Sequence, residues 1–143
     1  MKNFEFDHLI RELKRSSAPV VIFGTKKVGS LTYHALTNAG IKIDYFCDDA
    51  ESALNKKSIY NIPIISSKEL QKLDPELNVF IGAWVVYQIL PQLEKIKLKN
   101  IHNSVNLFKN TDFSKLNTGM SSHEIRRRVD IYKAECDALQ VVD

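Results

Sequence analysis

Val20-Val21-Ile22-Phe23-Gly24-Thr25-Lys26-Lys27-Val28-Gly29 is the stretch on which the fold turns. Its four leading apolar residues suit a strand covered on both faces of a parallel sheet. Gly24 permits a sharp turn, after which the apolar period lengthens. Val28, Leu31, Thr32, Ala35, Leu36 and Ala39 fall on one helical face, and Gly40 stops the helix. Ile41 to Cys47 predicts a second strand, closed by Asp48-Asp49. Strand, turn, helix and strand in this order form the βαβ unit of an α/β protein.

The flanking sequence extends the same pattern. Phe4, Phe6, Leu9, Ile10 and Leu13 predict a short leading helix that ends at Ser16-Ser17-Ala18-Pro19. Ile62-Pro63-Ile64-Ile65 reads as a short extended piece. Ser66 or Ser67 can cap a helix over 68–73, with Glu69 at the capping-box position relative to Ser66. Asn78 to Gly82 predicts another buried strand, Val85 to Ile96 a helix that Pro91 kinks or divides, and Ile101 to Val105 a last strand. The expected architecture is a Rossmann-like parallel sheet of about five strands flanked by helices, occupying residues 1–110.

Residues 111–143 differ in character. Thr111 to Met120 is polar and loop-like, and Ser121 or Ser122 opens an amphipathic helix, with Glu124 at the capping-box position relative to Ser121. Ile125, Val129, Tyr132, Cys136 and Leu139 form an apolar stripe that needs cover. It could pack on the sheet, pair with a second copy, or lead into a downstream catalytic domain. A homodimer through this helix is the expectation, because two-fold closure is the commonest way to cover such a stripe.

Composition excludes several classes. The 143 residues are 44% hydrophobic and 26% charged, with a net charge of +3, enough for one ordinary core. No apolar run approaches the ~18 residues of a membrane span, so no membrane partner is expected. Met1 to Asp7 lacks the basic flank and apolar run of a signal peptide, which points to the cytoplasm. Cys47 and Cys136 make neither a disulfide framework nor a metal cluster, and the four histidines lack metal-ligand spacing. Arg126-Arg127-Arg128 fans around a helix rather than forming a rail. Residues 121–143 hold four basic and five acidic side chains, so nucleic acid is not an expected partner.

Three glycines carry the dinucleotide-binding turn: one for the bend, one for approach of the pyrophosphate, one for helix–strand packing. Gly24 and Gly29 fill the first and third roles, but Lys26 stands in the second. Candidate phosphate contacts are Gly24, Thr25, Lys26 and Lys27, with the lysines acting as point charges beside a helix N-terminus. Asp48 lies 24 residues after Gly24, against a usual spacing of about 20, and with Asp49 is placed to accept ribose hydroxyls. Gly82 and Trp84 belong to the opposite rim, where Trp84 could stack on a base or sugar ring. A plainer reading keeps Gly24 as a turn, the lysines in water and Trp84 as packing. The absence of Gly-Lys-Ser/Thr excludes a Walker A loop. No residue presents itself as general acid or nucleophile, and no metal site is expected.

These residues resemble a group of small Rossmann-like domains at the start of bacterial surface-polysaccharide biosynthesis proteins, where they are joined to FkbM-type methyltransferase or glycosyltransferase modules. The likeness rests on Val21-Ile22-Phe23-Gly24-Thr25 with Val28-Gly29, and on Asp44-Tyr45-Phe46-Cys47-Asp48-Asp49. It continues through Asn61-Ile62-Pro63-Ile64-Ile65-Ser66 with Glu69-Leu70, and through Val79-Phe80-Ile81-Gly82-Ala83, covering about residues 19–108. Members often carry glycine or serine at the position of Lys26 and an Asn-Gly-Ile-Pro segment whose glycine is missing here. The resemblance implies a nucleotide-type crevice in a polysaccharide context and a catalytic module in a parent protein, and the residues themselves suit a non-catalytic site for a nucleotide, NAD or a nucleotide-sugar. One alternative is a structural or self-association module with a vestigial crevice. Another is a fragment of an NAD-dependent or methyltransferase enzyme.

Overall fold

The computed structural model describes residues 4–139. In chain order the elements are α1 (Phe4–Arg15), β1 (Val20–Phe23), α2 (Lys27–Asn38), β2 (Tyr45–Cys47), α3 (Asp49–Ala53), β3 (Ser58–Ile59) and β4 (Ile62–Ile65). They continue with α4 (Ser67–Leu70), β5 (Asn78–Ile81), α5 (Val86–Ile96), β6 (Asn100–His102), α6 (Val105–Lys109), a 3-10 turn (Phe113–Lys115) and α7 (Ser122–Ala138). The strands form one sheet ordered β3-β4-β2-β1-β5-β6. All neighbours are parallel except the β3–β4 hairpin. This is the expected Rossmann-like α/β arrangement with a distinct C-terminal helix.

Strand order reverses between β1 and β5. The chain leaves β1 towards β2 and β4, then crosses back to β5 on the other side. In open parallel sheets, the carboxyl ends of the two strands at such a reversal open a crevice. Val20–Phe23 and Asn78–Ile81 are buried throughout, which explains why both read as unbroken apolar or near-apolar runs.

Several boundaries differ from the sequence reading, each for a local reason. Ile41 to Asp44 does not join the ladder, because Asp44 substitutes for it. The Val20 N–H donates to Asp44 Oδ2 at 2.9 Å, and the Asp44 N–H donates to the Val20 carbonyl at 2.9 Å. The expected last strand ends at His102, and Val105 starts α6. Pro91 sits inside α5 without dividing it. The sheet gains a sixth strand from a hairpin whose two turn residues, Tyr60 and Asn61, have φ of 52° and 61°. Paired positive φ values are the signature of the tight turn that suits a twisted hairpin.

The tail is part of the same core. Ile125, Tyr132 and Cys136 are buried with the sheet residues, and α7 packs on α2, α5 and α6. The stripe from which a homodimer was expected is therefore covered by the chain itself, apart from Leu139 at its end. Tyr132 is fully buried, and its hydroxyl donates to the Ile81 carbonyl at 2.7 Å while accepting from the Ser104 N–H at 2.8 Å. Touching helices on both flanks of the sheet, α7 lies across the carboxyl edge beyond β5 and β6.

The β1–α2 turn is held by close backbone contact. A Cβ on Gly29 would lie 2.1 Å from the Gly24 carbonyl oxygen, and one on Gly24 would lie 2.5 Å from that of Gly82. Alanine ordinarily stabilises a helix interior over glycine by about 1 kcal/mol. Gly29→Ala should do the opposite and cost about 3 kcal/mol in urea unfolding, since backbone cannot move aside as a side chain can. An unchanged or raised midpoint would contradict the contact.

Candidate functional site

The crevice at the β1/β5 reversal is built from three loops. The first is Gly24-Thr25-Lys26 leading into α2, the second is Asp48-Asp49 leading into α3, and the third is Gly82-Ala83-Trp84 leading into α5. Gly24, Gly29 and Gly82 meet at its floor, as the fingerprint's first and third glycines require.

The acids have structural partners. Asp48 is the N-cap of α3: its Oδ1 accepts the Glu51 N–H at 3.0 Å, and its Oδ2 accepts the Thr25 hydroxyl at 2.8 Å. Asp49 accepts the Ser67 N–H at 2.7 Å and the Ser67 hydroxyl at 2.8 Å, joining α3 to α4. A ribose hydroxyl would meet oxygens that already accept a bond from the chain. These carboxylates lock the β1, β2 and β4 loops to one another.

Lys26, in the position of the second fingerprint glycine, is the N-cap residue of α2 and reaches across the crevice to Glu51. The hydrogen bond to Glu51, then its charge, raise the Lys26 ammonium above its ordinary pKa. Lys27 pairs with Glu124 of α7 at 3.5 Å. Glu51 escaped the sequence reading, although its spacing of three from Asp48 is a capping signal.

No side chain caps α2, α5 or α6, whereas Asp48 caps α3, Ser66 caps α4 with a full box, and Ser121 caps α7. The uncapped end of α2 borders a cavity of about 310 Å³ lined by Thr25, Lys26, Lys27, Ser30, Tyr60 and the Thr118–Met120 loop. Tyr60 is placed there by the hairpin turn. Its ring stacks on Tyr33 at 4.0 Å, and its hydroxyl lies 2.7 Å from Ser30 Oγ. Sequence reasoning missed Ser30, Tyr60, Thr118 and Met120, because the hairpin and the tail reach α2 only in the folded chain. Gly82 and Trp84 do not line this cavity. Trp84 is 50% exposed and Tyr87 52%, so their rings face outward from the opposite rim.

Chemistry at the crevice is limited. Cys47, at the end of β2, is fully buried, and burial, followed by Asp49, Asp48 and Glu69, pushes its thiol well up. A protonated thiol is not a nucleophile. Among the described residues no group of histidine, cysteine, aspartate and glutamate could hold a metal ion. No helix there is long and apolar enough to cross a membrane.

Buried Cys47 and Tyr132 also set a pH dependence. Burial raises the Tyr132 hydroxyl well above its ordinary 10.0, as it raises the Cys47 thiol above 9.0. The folded chain keeps both protons that the unfolded chain would release. Their contribution is intact below pH 9 and is lost as the pH rises, by about 1.4 kcal/mol per unit for each group past its unfolded pKa. Urea melts between about pH 7 and 10.5 should show stability falling above pH 9, with a shallower fall in Cys47→Ala. Constant stability across that range would contradict this burial. Compared with known proteins, the chain matches no protein-family model and no curated protein.

Proposed function

We propose that the chain is a non-catalytic binding module for a small phosphate-bearing ligand of nucleotide type, seated at the N-terminus of α2. The observation that carries this reading is the uncapped helix end opening on a cavity rimmed by Lys26, Lys27 and four hydroxyl-bearing side chains. First-turn N–H groups and the helix dipole favour an anion there, and lysine ammonium groups add point charges. Ser30 and Tyr60, bonded to each other, leave one hydroxyl donor for a remaining phosphate or sugar oxygen, while Thr25, whose proton goes to Asp48, is left to accept from a sugar hydroxyl. The space is at the small end of ligand pockets, which run from about 300 Å³ upward, and so suits a mononucleotide better than NAD. The likeness to domains of polysaccharide-modifying proteins supports a nucleotide-sugar as one such ligand, with catalysis residing in an attached module. Two buried free thiols support a reducing, cytoplasmic setting.

A second reading is favoured by a different observation. Asp48, Asp49 and Glu51 are engaged within the fold, and α7 spans the carboxyl edge. A crevice closed in this way would serve as a scaffold. Calorimetric titration with a UDP-sugar, NAD and S-adenosylmethionine separates the two readings. The binding reading expects heat with the UDP-sugar, and at least roughly tenfold weaker affinity in Lys26→Gln/Lys27→Gln, which loses both charges but keeps polar side chains. Silence for all three ligands, or unchanged affinity in the double variant, would overturn it in favour of the scaffold.

A further inference from the structure

A second cavity lies away from the crevice, between α1 and the sheet, and encloses about 550 Å³. Its sheet side is polar where a doubly covered parallel sheet is ordinarily apolar. The β5–β6 register pairs Asn78 with Asn100 and Phe80 with His102, and alternate residues share a face. Asn78, Asn100 and His102 therefore stand on the face that lines the cavity. Opposite them, α1 contributes Leu9 and Leu13 as an apolar wall.

Asn78 is only 9% exposed. Its Oδ1 lies 3.0 Å from His102 Nε2, while its amide nitrogen has no partner among the described residues. That nitrogen is not among the buried polar atoms left without a partner, so it opens on the solvent of the cavity and can donate to an acceptor oxygen on a ligand there. The rim is acidic: Glu5, Glu12 and Glu76 line it. Glu76 pairs with Lys99 at 2.8 Å and Glu12 with Arg15 at 3.5 Å, both exposed contacts that salt screens. Glu5 has no ion-pair partner among the described residues.

We propose that this cavity binds a small aminated polyol, with the ammonium group at the Glu5–Glu12 rim and hydroxyl oxygens at Asn78. A hydroxylated ligand matches a lining that both donates and accepts, and a positive charge matches the rim. The site is independent of the α2 terminus, since the two cavities share no lining residue.

The test is a heteronuclear NMR titration of the full chain with glucamine, sorbitol and gluconate, which share a polyol chain and differ in end-group charge. Glucamine should shift the Asn78 and Asn100 side-chain amides with a Kd of about 1 mM, leaving Thr25 to Ser30 unmoved. Sorbitol should bind roughly fivefold more weakly, and gluconate more weakly still. Glu5→Gln/Glu12→Gln, two exposed positions on α1, should abolish the preference for glucamine over sorbitol. Absence of an Asn78 shift with glucamine, equal binding of all three probes, or a preference that survives in the double variant would each overturn the proposal.

Discussion

Gly24, Gly29 and Gly82 bring three backbone segments so close that only hydrogen fits between them. The Gly24 carbonyl occupies the space a Gly29 side chain would need, and the Gly82 carbonyl does the same to Gly24. A Cβ on Gly82 would itself lie 2.6 Å from Ile22 Cγ2. The contact fixes where α2 starts relative to β1 and β5, and therefore the shape of the strand-order reversal. The loops that carry Thr25, Lys26, Asp48 and Trp84 all hang from this frame. In the dinucleotide fingerprint these glycines serve packing as well as a ligand, and here the packing role is explicit in the distances.

The middle fingerprint position shows how one substitution reorganises a crevice. A glycine would leave the α2 terminus bare, but Lys26 brings a cation, and Glu51 answers it from α3. Asp48 holds both loops, capping α3 with one oxygen and receiving Thr25 with the other. Each acid in this region joins two elements, so charge that might serve a ligand also serves the fold. On the other side, α7 brings Glu124 to Lys27 and Tyr132 to the end of β5. The site that emerges lies at the outer flank of α2, between the hairpin and the loop before α7.

Legibility in the sequence followed the range of the interactions. The β1–α2 unit was readable because its signals are local: a buried apolar run, a turn glycine and a helical period. Ser66 with Glu69 predicted its capping box, which the structure contains in full. The hairpin was not readable, since Tyr60 is an unusual residue for positive φ and its stacking partner Tyr33 lies on another element. Asp48 looked like a ligand contact because its position at a strand end is the same whether it caps a helix or meets a ribose. The fate of the C-terminal stripe depended on which surface would cover it, and periodicity carries no information about that. Tyr132 was visible as a stripe residue, but its bonds to Ile81 and Ser104 join positions 51 and 28 residues away.

The central structural claim is that α7 is an integral part of the domain and seals the carboxyl edge through Tyr132. Native-state hydrogen exchange tests it most directly at the Ser104 amide, whose acceptor is the Tyr132 hydroxyl. With α7 integral to the fold, Ser104 should exchange only with global unfolding, at the same free energy as the Gly82 amide bonded to Phe23 between β1 and β5. Exchange of Ser104 through a cheap local opening, with Gly82 still protected, would show that α7 lifts away independently and would contradict the claim.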